Sequence, residues 1–161
     1  MGRTSERRGR LIIVCGLPGS GKTTLARSLE RRLRGVRLSP DDWMDALGIN
    51  LSDAAVRARI EALQWIIAQR LLELGQMVII EWGTWARAER ETLRLGARAL
   101  GAAVELRFVS AAPDVLMERI QRRAREDPPI SPDSIREWLD LFEAPDGAEF
   151  ALYDTPLAIV G

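Results

Sequence analysis

The sequence predicts an α/β fold: a parallel sheet of five strands covered by helices on both faces. Two observations carry this reading. Short apolar runs alternate with helix-length amphipathic segments along the 161-residue chain. The first of these runs, Leu11-Ile12-Ile13-Val14-Cys15, feeds a glycine-rich turn that opens directly into a helical segment. Parallel strands joined through helices take right-handed crossovers, and such sheets gather ligands beyond the carboxyl ends of their strands.

Residues 1–10 are polar and arginine-rich and read as a disordered lead-in; 11–161 reads as one domain. The first strand is 11–15. A helix follows over 22–34, with Leu25, Leu29 and Leu33 on one face and Gly35 placed to end it. Residues 36–38 form a second short strand. Ser39-Pro40 then turns the chain into a short helix to about residue 47. Ser52 is positioned as the N-cap of a long helix to about residue 74, whose apolar row is Val56, Ile60, Leu63, Ile67, Leu71 and Leu74. The third strand, 77–81, ends in a carboxylate, Glu81. A loop over 82–85 leads to a helix over 87–100, then a strand over 104–109. Pro113 opens a helix to about residue 125, and a proline-containing loop follows. Ser131 as N-cap and Pro132 at the first helical position open another helix to about residue 143. Residues 157–160, Leu-Ala-Ile-Val, read as the fifth strand.

Composition narrows the chemistry. Formal net charge is zero, which weighs against a dedicated nucleic-acid binder. The single Cys15 excludes an internal disulfide and fits a reducing, cytoplasmic setting; inside an apolar strand it reads as a small core residue. There is no histidine, so histidine-based triads, zinc sites and a histidine general base are all excluded. Acid–base work falls to carboxylates or solvent. The arginines before Leu11 superficially resemble the start of a signal peptide, but five apolar residues are too few for its hydrophobic region. No run is long enough to span a membrane.

The turn after the first strand is Gly16-Leu17-Pro18-Gly19-Ser20-Gly21-Lys22-Thr23-Thr24, which fits G-x-x-x-x-G-K-[ST], the phosphate-binding P-loop. Gly16, Gly19 and Gly21, with Pro18 and Ser20 between them, let backbone N–H groups point at phosphate oxygens, and the following helix end favours an anion. Lys22 would reach the β- and γ-phosphates, and the Thr23 hydroxyl would ligate Mg²⁺, with Thr24 beside it. Of the 23 lysines and arginines, all but one are arginine, and the exception is Lys22. A compact ammonium is kept where a planar guanidinium would not fit.

Other candidates cluster on the same sheet edge. Asp41 and Asp42 follow the second strand, where a carboxylate would accept the proton of an attacking hydroxyl; the alternative for either is helix capping. Glu81 occupies the strand-end position of a magnesium-orienting carboxylate, serving metal or substrate, and Thr84 supplies a hydroxyl nearby. Trp82 and Trp85 flank that loop, as an acceptor wall or as core. Arg119 and Arg123 are four residues apart and share a helix face, suited to base stacking and phosphoryl neutralisation, or forming a solvated basic helix end. The loop beyond them, about 122–131 with the helix end, would act as a short lid.

With these residues in place, the chain resembles the P-loop kinases, near the small ATP-dependent kinases that include the polynucleotide 5′-hydroxyl kinase domain, chloramphenicol phosphotransferase and zeta-toxin-like kinases. The resemblance rests on 16–24, Ser39-Pro40-Asp41-Asp42, Glu81 and Arg119-Ile120-Gln121-Arg122-Arg123. It implies a three-layer α/β/α P-loop NTPase fold with sheet order 2-3-1-4-5. It also implies ATP and Mg²⁺ as cofactors, Asp41 as base on the acceptor hydroxyl, Arg119 near adenine and Arg123 on the phosphates. Polynucleotide kinases carry a basic residue shortly after the Asp pair; here the stretch is Trp43-Met44-Asp45, which favours a neutral or cationic small-molecule acceptor over nucleic acid.

The leading expectation is a kinase that transfers the γ-phosphoryl group of ATP to a hydroxyl of a small molecule, using Lys22, Asp41 and Arg123, with the acceptor near Asp41, Asp42, Trp82 and Thr84. The alternatives are an ATP hydrolase or switch, a polynucleotide or nucleoside kinase, and a binding module that holds nucleotide only for stability. A GTPase is disfavoured, because the guanine-reading [NT]-K-x-D motif needs a lysine and the one lysine is in the P-loop. No membrane association and no obligate protein partner is read from the sequence.

Overall fold

The structure, a computed structural model, describes residues 8–125 and 127–159. Its sheet is built on β1 (Arg10–Cys15), whose residues from Leu11 onward are all buried. Alternation assigns its two faces. Leu11, Ile13 and Cys15 pack one way, and Ile12 and Val14 the other. Helix α1 (Lys22–Leu33) covers the second face with Ala26 and Leu29. Helices α3 (Ala54–Glu73) and α4 (Arg87–Ala99) cover the first with Ala68, Leu72, Leu93 and Ala97. Burying such side chains stabilises by about 1.5–3 kcal/mol each, so two covered faces make the central strand the anchor of the molecule.

Strands β2 (Val36–Leu38), β3 (Met77–Ile80) and β4 (Ala103–Phe108) pair in parallel with order β2-β3-β1-β4. Ile13 lies beside both Ile80 and Leu106, so the strands end nearly level. Beyond the last pairs, Glu81 N–H donates to the Leu38 carbonyl at 3.3 Å and Val109 N–H to the Cys15 carbonyl at 2.9 Å. The chain therefore leaves the sheet after Cys15, Leu38, Ile80 and Phe108 along one edge, and the site lies there. Burial pushes the Cys15 thiol up to about 11, which leaves it a protonated core residue.

The order 2-3-1-4 is the expected one, but the fifth strand is absent among the described residues. Val160 lies outside them, and 157–159 make no ladder. The outer edge of β4 is satisfied differently. Asp154 N–H donates to the Val104 carbonyl at 2.8 Å, and Val104 N–H donates to Asp154 Oδ2 at 2.7 Å. Leu157 N–H goes to the buried Glu105 Oε1 at 3.0 Å, and Arg107 donates to the Leu157 carbonyl at 2.7 Å. One backbone bond and several side-chain bonds take the place of a ladder, and Pro156 has no N–H to contribute. Of the lead-in over 1–10, residues 1–7 lie outside the described part; Arg10 already belongs to β1.

Helix α3 also departs from expectation. Its N-cap is Asp53, whose side chain accepts from Val56 N–H at 3.0 Å, and not Ser52. Its buried row is Ile60, Gln64, Ala68 and Leu72, while Leu63, Ile67 and Leu74 are exposed. Gln64 faces inward because its Oε1 accepts from the Trp82 indole N–H at 2.9 Å, satisfying a buried donor. The left-handed residue closing α1 is Arg34, with φ 53°, and not Gly35. The short helix α2 (Pro40–Ala46) starts as the sequence suggests. Helices α5 (Pro113–Arg123) and α6 (Pro132–Leu141) pack together through Leu116, Ile120 and Ile135 on Leu17 of the glycine loop. A one-turn helix, α7 (Gly147–Phe150), was not anticipated from sequence. None of the described helices is long and apolar enough to cross a membrane.

Candidate active site

The loop between β1 and α1 has the backbone its glycines permit. Gly16, Gly19 and Gly21 adopt φ of 151°, 80° and 107°. At Gly16 the constraint is also steric, since a Cβ there would stand 2.2 Å from the Val109 carbonyl oxygen. Inside the turn, Lys22 Nζ donates to the carbonyls of Gly16 at 2.8 Å and Leu17 at 3.2 Å. Outside it, Arg119 Nη1 donates to the carbonyls of Gly19 and Ser20, both at 3.1 Å. The loop is thus held open from both sides by cations bonded to carbonyls, which leaves N–H groups for an anion. Burial pushes Lys22 down to about 8, against the pull of Asp41 and Glu81, and Arg123 nearby acts in the same direction as burial.

Thr23 and Glu81 meet, with the Thr23 hydroxyl donating to Glu81 Oε1 at 3.3 Å. The same oxygen accepts from Arg37 Nη1 at 2.8 Å, while the buried Glu81 Oε2 has no partner. Burial raises Glu81, opposed by the neighbouring Ser39 hydroxyl and by Arg37. An unsatisfied carboxylate oxygen beside a hydroxyl fits a hard divalent cation completed by phosphate oxygens. No cluster of three or more acidic, cysteine or histidine side chains suited to a metal occurs among the described residues. The pair would therefore need the ligand's own phosphates, the usual arrangement for Mg²⁺.

The two aspartates diverge. Neither caps α2: Ser39 does, its Oγ accepting from Asp42 N–H at 3.4 Å. Asp41 lines the cleft and pairs with Arg57 at 2.7 Å. Asp42 turns away, ion-paired to Arg37, with Arg27 at 3.9 Å, and is not among the cleft residues. Its expected place at the acceptor is corrected for that reason. Trp82 is corrected likewise: it is buried in the core against Gln64. Trp85 instead lines the cleft with Trp138, ring centroids 5.9 Å apart and planes tilted by 60°. Thr84 does line the cleft; it is 7% exposed and its Oγ1 has no partner. Its φ of 43° is uncommon for a β-branched residue.

What holds Thr84 there is Arg90, which is fully buried. All five of its N–H groups are used. Two go to Glu149, at 2.7 and 2.9 Å; the others reach the carbonyls of Thr84 at 2.9 Å, Trp85 at 3.1 Å and Glu143 at 2.7 Å. Glu149 is supplied by α7, which explains that short helix. The segment after α5, expected as a lid, is fastened to the α2–α3 loop. Asn50 and Ser52 donate to the Asp127 carbonyl at 3.0 and 3.2 Å, and Arg125 pairs with Asp45. Glu126, within that segment, lies outside the described residues.

Together these elements wall a cleft of about 750 Å³. The glycine loop and α5 supply Pro18, Gly19, Gly21, Lys22, Thr23 and Thr24 with Arg119 and Arg123; α2, α3, α4, α6 and the loop after β3 supply Asp41, Arg57, Glu61, Thr84, Trp85, Glu89 and Trp138. Sequence reasoning missed Arg57, Glu61, Glu89 and Trp138. Arg57 and Glu61 are four apart at the start of a helix and share a face, which was the available signal. Burial raises Glu61, Arg57 lowers it, and the Glu89 and Asp41 carboxylates raise it further.

Known proteins resemble the chain in the same regions. The AAA domain family matches residues 11–145. A gluconokinase from Arabidopsis thaliana is 26% identical over 158 residues, covering 89% of this chain and 83% of its own. A UPF0200 protein from Pyrobaculum aerophilum is 35% identical over 128 residues, covering 75% of this chain and 70% of its own. Among solved structures, a sugar kinase from Janibacter sp. shares the fold with a TM-score of 0.63 at 22% identity, covering 88% of this chain and 82% of that one.

Proposed function

Since the chain belongs to the AAA domain family and is P-loop kinase-like, we propose that it transfers the γ-phosphoryl group of ATP to a hydroxyl of a small molecule. The observation that carries this is the position of Asp41, across the same cleft from Lys22 and Arg123. A hydrolase needs only to position water, whereas this cleft continues past the phosphate loop into a walled space with its own carboxylates, hydroxyl and aromatic side chains. The kinases among its relatives, a gluconokinase and a sugar kinase, support a polyhydroxylated or sugar-like acceptor.

In the proposed reaction the acceptor oxygen attacks the γ-phosphorus while its proton passes to a carboxylate oxygen of Asp41. The bond from the γ-phosphorus to the bridging oxygen breaks, and ADP leaves with that electron pair. Arg57 holds Asp41 in place through its 2.7 Å ion pair. Lys22 and Arg123 offset charge on the transferring group. Arg119 fixes the outer wall of the loop and, by resemblance, stands toward the base. Mg²⁺ would be held by Thr23 and Glu81 and would supply neutralisation of phosphate charge. Gly16 to Thr24, with Pro18 and Ser20 in the turn, bind the phosphates; Thr84 and Trp85 face the acceptor.

The test is to incubate the protein with γ-labelled ATP and a pooled set of alcohols. Label in phosphate monoesters is the expected result; label in inorganic phosphate alone, at a rate indifferent to the alcohols, would favour the hydrolase.

The nucleotide half has its own signature. Lys22 in the free protein keeps its proton below about 8 and loses it above. Bound polyphosphate favours the ammonium, so above that pH binding takes up a proton. ATP affinity is therefore expected to fall as pH rises through this range, by up to about tenfold per pH unit. Calorimetric titration either side of the transition measures it, and Lys22→Met should bind weakly without that slope. A flat profile for the unaltered protein would contradict the assignment.

A further inference from the structure

We infer that the acceptor is an alcohol carrying a protonated amine, its ammonium seated between Glu61 and Glu89 against Trp85 and Trp138. The inference rests on the kinase reading and deepens it. The charges lining the cleft divide by element. The glycine loop and α5 contribute three cations, Lys22, Arg119 and Arg123, with Glu81 the carboxylate beside Thr23. Helices α2, α3 and α4 contribute three carboxylates, Asp41, Glu61 and Glu89, and one cation, Arg57. Arg57 is already engaged by Asp41 at 2.7 Å and also donates to the Leu51 carbonyl at 3.2 Å. Arg57, which also lowers Glu61, is thus one cation for three carboxylates.

Each has capacity for a ligand. Glu61 makes no hydrogen bond or ion pair among the described residues. Glu89 spends Oε2 on the Ala86 N–H at 2.9 Å and keeps Oε1. An acidic acceptor would meet these carboxylates directly, and a neutral one would leave the half-buried Glu61 undercompensated. A cation satisfies both, and the neighbouring indoles add a favourable face for an ammonium. An independent feature marks the cleft as built for a ligand. Thr84 is only 7% exposed and lines the cleft, yet its Oγ1 has no partner in the protein. A hydroxyl held in a buried, left-handed backbone without a partner is accounted for by a polar group of the acceptor. Phosphoryl transfer goes to the acceptor's hydroxyl; the amine stays protonated and does not react.

The experiment compares matched alcohols as acceptors of label from γ-labelled ATP: glucosamine and ethanolamine against N-acetylglucosamine, glucose and gluconate. The amine-bearing set should show kcat/KM at least about tenfold above the neutral and acidic set, as a charge-assisted contact requires. In Glu61→Gln with Glu89→Gln, ATP affinity should be retained and that preference should collapse. Preference for the neutral or acidic alcohols, or a preference unmoved in the double variant, overturns the inference while leaving the kinase reading in place. Label appearing only as inorganic phosphate with every alcohol overturns the kinase reading, and this inference with it.

Discussion

Asp41→Asn is expected to slow acceptor phosphorylation by about two to four orders of magnitude while leaving ATP affinity within a few-fold. The amide keeps the shape of the carboxylate and can still accept from Arg57, which lies 2.7 Å from Asp41 Oδ1. It cannot take the proton of the attacking hydroxyl. The phosphate loop, Lys22, Thr23 and Glu81 are untouched, so binding of the nucleotide should be nearly unchanged. Single-turnover transfer and calorimetric ATP affinity separate the two. A variant that transfers at the original rate removes Asp41 from the chemistry. Equal losses in both would make Asp41 a residue that shapes the cleft.

Arg90→Met is expected to destabilise the protein by about 3–5 kcal/mol, among the largest effects of any single substitution. The fully buried guanidinium neutralises Glu149 and satisfies the carbonyls of Thr84, Trp85 and Glu143. Removing it strands a buried anion. Adding Glu149→Leu should restore much of the stability, because the stranded charge goes too. It should not restore acceptor phosphorylation, because nothing then holds the Thr84 backbone in place. Denaturant unfolding measures the first part and transfer assays the second. A loss of less than about 1 kcal/mol in Arg90→Met would contradict the account of this pair. If that variant does not fold, Arg90→Lys, which keeps the charge and loses the fork, should fall between.

The glycine loop was legible because its determinants are local. A strand, three glycines at fixed offsets and Lys22 specify a turn whose geometry depends on little else. Thr23 and Glu81 were legible for a related reason: each sits one step from a strand or helix end, and parallel strands that end level bring such positions together. On the opposite wall of the cleft only Asp41, Thr84 and Trp85 were legible; Arg57, Glu61, Glu89 and Trp138 come from three separate helices, α3, α4 and α6. Trp82 and Trp85 show the difficulty. Alternation predicts facing along a strand, but the strand ends at Ile80, and the left-handed Thr84 redirects the chain beyond it. One tryptophan enters the core and the other the cleft.

Helix α3 misled for a different reason. Its most apolar row includes Leu63 and Ile67, which are exposed, while Gln64 and Ala68 are buried. The facing of the helix was decided by a partner's need, the Trp82 indole N–H requiring an acceptor, and hydrophobic periodicity carries no record of that. The absent fifth strand obeys the same logic. An apolar run at 157–159 could have paired, but Asp154 and Glu105 satisfy the β4 edge with side chains. The pairing of Asp42 with Arg37, which freed Asp41 alone for the cleft, is a tie between residues five apart that composition could not rank.

The most direct test of the central claim is a crystal structure with a non-hydrolysable ATP analogue and the alcohol that accepts label. The triphosphate should lie in the 16–24 loop, its γ-phosphate beside Lys22 and Arg123, and the acceptor hydroxyl within about 3 Å of an Asp41 carboxylate oxygen. An acceptor bound away from Asp41, or a γ-phosphate directed out of the cleft, would contradict it.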